Sequence, residues 1–123
     1  MHDRRPRAGF DEQLVLAALR RSWSRASSSL FTPENPAAGQ CGVSALVLND
    51  RFGGEILKTL VDGRPHFYTR IDGRRHDLTR EQFDAPPDYL DLPASREEAL
   101  GDTSAEQYSH LSRRFAEEHS RQV

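Results

Sequence analysis

Cys41 is the single cysteine of a 123-residue chain, and its thiolate would be a soft, strong nucleophile toward an acyl carbon. Such a nucleophile needs a base to take the thiol proton and return it to the leaving group, and His66 is the best placed histidine for that work. The base needs a partner that fixes its tautomer and steadies the imidazolium, which a carboxylate supplies, and Asp77 stands eleven residues further on. Charge developing on the substrate oxygen needs donors set in advance. Gln40 and the Cys41 backbone N–H are the nearest candidates, with Asn35 a weaker one.

These residues must be carried by particular elements. Cys41 to Phe52 reads as a mostly buried helix, because its apolar run is too long for a strand and stops at Gly53-Gly54. Cys41 then sits at a helix start, where free N–H groups and the macrodipole favour an anion, so the position is expected to lower the thiol pKa. The following stretch reads as a three-stranded meander. Residues 55–61, 65–71 and 74–79 are the strands, Asp62-Gly63 is a turn, and Asp72-Gly73 is a type I′ turn.

With Asp72-Gly73 as a two-residue turn, Ile71 faces Arg74, Tyr68 faces Asp77 and His66 faces Thr79. His66, Tyr68, Asp77 and Thr79 then share one face, while Phe67, Ile71 and Leu78 share the other. Diagonal neighbours on one face lie roughly 7 Å apart or somewhat less, within reach of a carboxylate and an imidazole. The expectation is that the apolar face supplies core and the polar face meets Cys41. Tyr68 and Arg70 would line the approach for substrate.

The remaining elements complete an α+β domain. Residues 10–23 form an amphipathic helix, with Phe10, Leu14, Ala17 and Ala18 on one stripe and Leu16, Leu19 and Trp23 beside it. Ser24 to Gly39 is a Ser-, Pro- and Gly-bearing loop. Asp84 to Pro93 holds three prolines and reads as a loop. Ser95-Arg96-Glu97-Glu98 is a capping box opening a short helix to Leu100, and a last helix runs from about Ser104 to His119 with Tyr108, Leu111 and Phe115 on one stripe. Residues 1–9 read as a disordered tail and residues 10–123 as a single domain.

Blander readings compete for each residue. Cys41 can be a small buried cysteine. Asp77 can cap a short turn beginning at Leu78-Thr79-Arg80-Glu81. Asp72 is explained by its turn, His76 falls on the apolar face in a structural or edge role, and His2, His110 and His119 fall in termini or on polar helix faces. Cys41, His66 and Asp77 are also acceptable zinc ligands. Yet no Cys-x-x-Cys, His-x-x-x-His or His-Glu-x-x-His is present, so no metal and no cofactor is expected.

Bulk properties limit the partners. A net charge of −2 argues against nucleic-acid binding by bulk electrostatics. Lys58 is the only lysine beside sixteen arginines, which suits anion recognition and is equally a product of GC-rich codon usage. No apolar run approaches the roughly 18 residues of a membrane span. The basic start is followed by Asp11 and Glu12 instead of an apolar stretch, which points away from a cleavable signal. A lone cysteine forms no internal disulfide, so the cytoplasm is the expected compartment.

Six stretches resemble the YunG-like family of small bacterial proteins: Trp23–Leu30 (WSRASSSL), Asn35–Leu46 (NPAAGQCGVSAL), Phe52–Leu57 (FGGEIL), His66–Asp72 (HFYTRID), Asp77–Phe83 (DLTREQF) and Ser95–Ala99 (SREEA). More distantly, a Cys on a helix followed by a His and an Asp on strands is similar to transglutaminase-like and papain-like proteins. That likeness implies a small papain-like core with helices on a three-stranded sheet, and it implies the roles of Cys41, His66 and Asp77. The papain-type Cys-Gly-Ser-Cys-Trp and caspase-type Gln-Ala-Cys-x-Gly are absent. The expected function is therefore cysteine-dependent acyl transfer or hydrolysis on an amide, ester or thioester. The substrate would be a small molecule, a peptide or a carrier-bound acyl group. The alternative is a non-catalytic binding or regulatory domain of the same fold.

Overall fold

The computed structural model describes residues 9–122, so most of the tail expected at residues 1–9, and Val123, lie outside the described residues. Helix α1 spans Glu12–Ser22. The Asp11 carboxylate accepts from the Leu14 N–H at 3.1 Å and so caps it, satisfying one of the donors a helix start leaves free. Its buried stripe is Val15, Ala18, Leu19 and Ser22, rotated from the expected one, and Leu14 is largely exposed. Val15 and Ser22 are seven residues apart, two helical turns, so a stripe through them turns Leu14 outward.

Helix α2 runs Cys41–Phe52, ending on Gly53 at a φ of 76°. Its first eight residues are all buried, as expected of a central element that is apolar on every side. Strands β1 (Glu55–Val61) and β2 (Arg64–Ile71) pair antiparallel from Glu55↔Arg70 to Val61↔Arg64. Both Asp-Gly turns place aspartate and glycine at positive φ, Asp62 at 51° and Gly63 at 78°, Asp72 at 53° and Gly73 at 78°, the signature of type I′.

Strand β3 is shorter than expected, Arg74–His76, paired from Ile71↔Arg74 to Thr69↔His76. The chain leaves the sheet at Asp77 because that side chain folds onto the Thr79 N–H and hydroxyl, both at 3.3 Å. This is an aspartate turn that competes with the ladder. A 3-10 turn, Arg80–Gln82, follows.

The sheet has four strands, not three, in the order β3-β2-β1-β4. Strand β4, Leu92–Ala94, lies in the stretch read as a loop to Pro93 and pairs with β1 through Leu57↔Pro93. Proline is tolerated there because β4 is an edge. Helices α3 (Arg96–Leu100) and α4 (Ala105–Ser120) both open on capping boxes, Ser95 with Glu98 and Ser104 with Gln107.

One apolar cluster joins Val15, Leu19, Trp23, Val47, Leu111 and Phe115 across α1, α2 and α4. A second lies between α2 and the sheet and includes Cys41, Leu46, Ile56 and Phe67. The fold is thus α+β, helices on an antiparallel sheet. Among the described residues no helix is long and apolar enough to cross a membrane.

Candidate active site

Three elements bring the site together: the start of α2, the middle of β2 and the point where β3 ends. The loop before α2 is folded by its serines. Ser28 Oγ donates to the Ala38 carbonyl at 2.9 Å, and the Trp23 indole N–H donates to Ser44 Oγ at 2.9 Å. These bonds fix where Cys41 enters the helix.

His66 Nε2 lies 2.7 Å from Asp77 Oδ2, and both side chains are about 3% exposed. A buried imidazole and carboxylate are costly to desolvate unless each completes the other's hydrogen bonding. Asp77 is well supplied. Its Oδ2 also accepts from the Tyr89 hydroxyl at 2.7 Å, while Oδ1 takes the Thr79 N–H and hydroxyl. The orienting role and the turn-capping role therefore coexist on one carboxylate, an oxygen to each. With Nε2 engaged, Nδ1 is the nitrogen left to exchange a proton with a reacting group. The Phe83 ring meets the imidazole edge-on, centroids 4.9 Å apart.

Cys41 reaches this pair from an unexpected side. Its side chain packs in the apolar cluster with Phe67, not against the polar face of β2. Because β3 stops at His76, the Phe67 backbone N–H is left to the Cys41 sulfur, and the thiol shares one cleft with Asp77 and another with His66. Cys41 and His66 line one cleft of about 480 Å³, together with Asp62, Arg64, Gln82 and Phe83.

The electrostatics of the thiol also differ from expectation. Burial, and then the Asp102 carboxylate, push the Cys41 thiol up to about 12, against the opposing pull of the Phe67 backbone N–H. Desolvation and a like charge outweigh the helix start. The thiol donates its hydrogen bond to Asp102 Oδ2 at 3.6 Å. Asp102 itself is held above the usual carboxylate range, chiefly by desolvation, although Cys41, the Gly42 backbone N–H and His66 each favour its charged form. Neither Asp102 nor Tyr89 is marked by spacing, since each lies in a turn or loop that accounts for it. The one legible signal was Gly42, a helix-weakening glycine inside α2. A Cβ there would lie 2.5 Å from Asp102 Oδ2 and 2.8 Å from its Cβ.

The other expected residues lie at differing distances from this centre. Gln40 is fully buried; its Nε2 donates to the Ser24 carbonyl at 3.5 Å and its Oε1 has no partner among the described residues. Asn35 Nδ2 donates to the Gln82 carbonyl at 3.4 Å, behind the cleft wall. The buried Tyr68 hydroxyl donates to Asp91 Oδ1 at 2.9 Å and accepts the Asp91 N–H at 2.8 Å. Arg70 pairs with Glu55 at 2.6 Å and lines a separate cleft with Asn49 and Arg96. His76 is structural, its Nδ1 3.2 Å from Glu12 Oε1 and its ring tilted against Phe10 with centroids 4.5 Å apart.

Comparison with known proteins supplies the kinship. No solved structure matches the chain. The chain is 56% identical over 98 residues to a protein named uncharacterized protein YunG from Bacillus subtilis (strain 168), covering 80% of this chain and 85% of that one. The family model described as YunG protein matches residues 11–120, nearly the whole described fold. The chain therefore belongs to the YunG protein family.

Proposed function

We propose that the protein is a cysteine-dependent acyl-transfer enzyme, a hydrolase or transferase on an amide, ester or thioester. The observation that carries this reading is His66, held 2.7 Å from the buried Asp77, lining the same cleft as Cys41. The compact core around it is read as papain-like in arrangement, cysteine on a central helix and histidine on a neighbouring strand.

In the proposed reaction the Cys41 S–H turns from Asp102 to His66, and the sulfur attacks the acyl carbon while His66 Nδ1 takes the thiol proton. The tetrahedral adduct collapses, the bond to the leaving group breaks, and that group departs with the proton from His66, leaving a thioester on Cys41. Water or an amine then attacks the thioester, again giving its proton to His66, and the sulfur leaves and is reprotonated. Asp77 keeps Nε2–H fixed and stabilises the imidazolium in both halves. Because the resting thiol holds its proton, His66 acts as the sulfur attacks and not from a preformed ion pair. The Cys41 backbone N–H remains the candidate oxyanion donor. Gln40 would need its amide turned away from Ser24.

A second reading is a non-catalytic binding or regulatory domain, favoured by the burial of Cys41 and its raised pKa. Acylation by p-nitrophenyl acetate separates the two, followed by nitrophenolate release and by the mass of the intact protein. The acyl-transfer reading expects one acetyl group per chain, none on Cys41→Ser, and a rate about a hundredfold lower for His66→Ala. Equal acylation of the wild type and His66→Ala would leave the binding-domain reading standing.

A further inference from the structure

Asp102 is placed unlike the ion-paired carboxylates of this arginine-rich chain. Glu118 is held by Arg21, Arg114 and Arg121, Asp91 by Arg75, Glu55 by Arg70 and Glu81 by Arg20. Among the described residues Asp102 has no such ion pair. Its carboxyl end instead turns in over the start of α2 and sits 3.6 Å from the Cys41 sulfur. The approach is so close that any Cβ at position 42 would force the Asp102 side chain to shift. The first turn of α2 contributes no acidic side chain, and the cleft that Cys41 lines adds His66 and Arg64 from β2 and Asp62, opposite in sign to Arg64, from the β1–β2 turn. His66, already occupied by Asp77, is the one chargeable partner acting on it favourably besides the thiol.

We propose that Asp102 sets the charge selectivity of the Cys41 site, favouring acyl donors with a cationic group beside the reacting carbonyl and rejecting donors with a carboxylate or phosphate there. The inference rests on the Cys41 site proposed above and specifies its substrate class. A molecule bonding to the sulfur comes within a few ångströms of this carboxylate, whose Oδ2 lies 3.6 Å from it. A unit charge brought within about 4 Å interacts appreciably even in bulk water, and more strongly in a partly dry cleft. Opposite signs of probe therefore separate by about tenfold or more. Asp102 touches the reacting sulfur, so its effect falls on the bond-forming step directly.

Charged methanethiosulfonates test this without a known substrate. The Cys41 thiolate attacks the sulfenyl sulfur, a mixed disulfide forms, methanesulfinate leaves, and the thiol proton passes to solvent. The rates with 2-aminoethyl and 2-sulfonatoethyl methanethiosulfonate are measured at one pH and low salt, and their ratio is divided by that of a small free thiol. Thiol acidity cancels in the ratio. The expected result is a normalised cation-to-anion ratio of about ten or more for the wild type, shrinking as salt is added and falling to within about twofold of unity in Asp102→Asn. A wild-type ratio near unity, which needs no variant to measure, would overturn the proposal, as would a wild-type ratio retained in a folded Asp102→Asn. His66→Ala is run beside them in the p-nitrophenyl acetate assay. Undiminished acylation there, with the charge ratio intact, sinks the acyl-transfer reading and leaves the Asp102 assignment in place.

Discussion

At the scale of single residues, the Cys41 thiol is held in its protonated form. Its thiol is raised from an ordinary value of 9.0 to about 12, first by burial and next by Asp102. The consequence for pH has a definite sign. The folded protein binds the thiol proton more tightly than the unfolded chain, so this group's contribution to stability is fully present below pH 9 and is lost as pH climbs from 9 toward 12. Labelling by iodoacetamide should follow the same ionisation. We expect its rate to rise about tenfold per pH unit from pH 7 to pH 10, without the plateau near 8.5 to 9 of a free cysteine. A plateau in that range would show that the thiol is not held so. The sequence made His66 and Asp77 legible because one turn, Asp72-Gly73, sets their register. Asp102 was legible only indirectly, through Gly42: it lies 61 residues from Cys41, and no local periodicity connects a turn between two helices to the start of a third.

At the scale of elements, the connections are as strictly specified as the strands. Gly54 joins α2 to β1 at a φ of 82°, and a Cβ there would fall 2.3 Å from the Arg70 carbonyl oxygen. Gly63, in the β1–β2 turn, has a φ of 78° with nothing within 4 Å. Alanine at Gly63 should cost only the left-handed backbone strain, about 1 kcal/mol. Alanine at Gly54 should cost about 3 kcal/mol or more, because backbone must also move. Urea denaturation of both variants checks the order; equal losses would mean that the α2–β1 junction relaxes freely. Helix α2 and strand β1 were readable to the residue, since the apolar run, the double glycine and the change of period all mark the same boundary. Strand β4 was not, because Leu92-Pro93-Ala94 has no alternation and its pairing with β1 is set by tertiary contact. The end of β3 was likewise hidden, since Asp77 reads equally as a strand residue and as a turn former.

At the scale of the whole molecule, α2 is the shared wall of both apolar clusters, and the helical side is closed by α4. Phe115 is fully buried and meets the Phe52 ring edge-on at 6.4 Å, so it ties the last helix to the one that carries Cys41. Phe115→Ala should lower stability by about 3 to 5 kcal/mol, measured by denaturant titration. A loss under about 1 kcal/mol would mean that α4 packs as an accessory. The class of the fold, α+β with helices on an antiparallel meander, could be read from turn chemistry and periodicity alone.

The two long strands lie inside the sheet, and each edge is a strand of only three residues, β3 and β4. One of those edges carries Pro93, which has no N–H to offer. A neighbouring copy of the chain therefore finds almost no open ladder to extend. The arrangement that exposes the middle of β2 to Cys41 also leaves the protein a poor template for sheet-to-sheet aggregation.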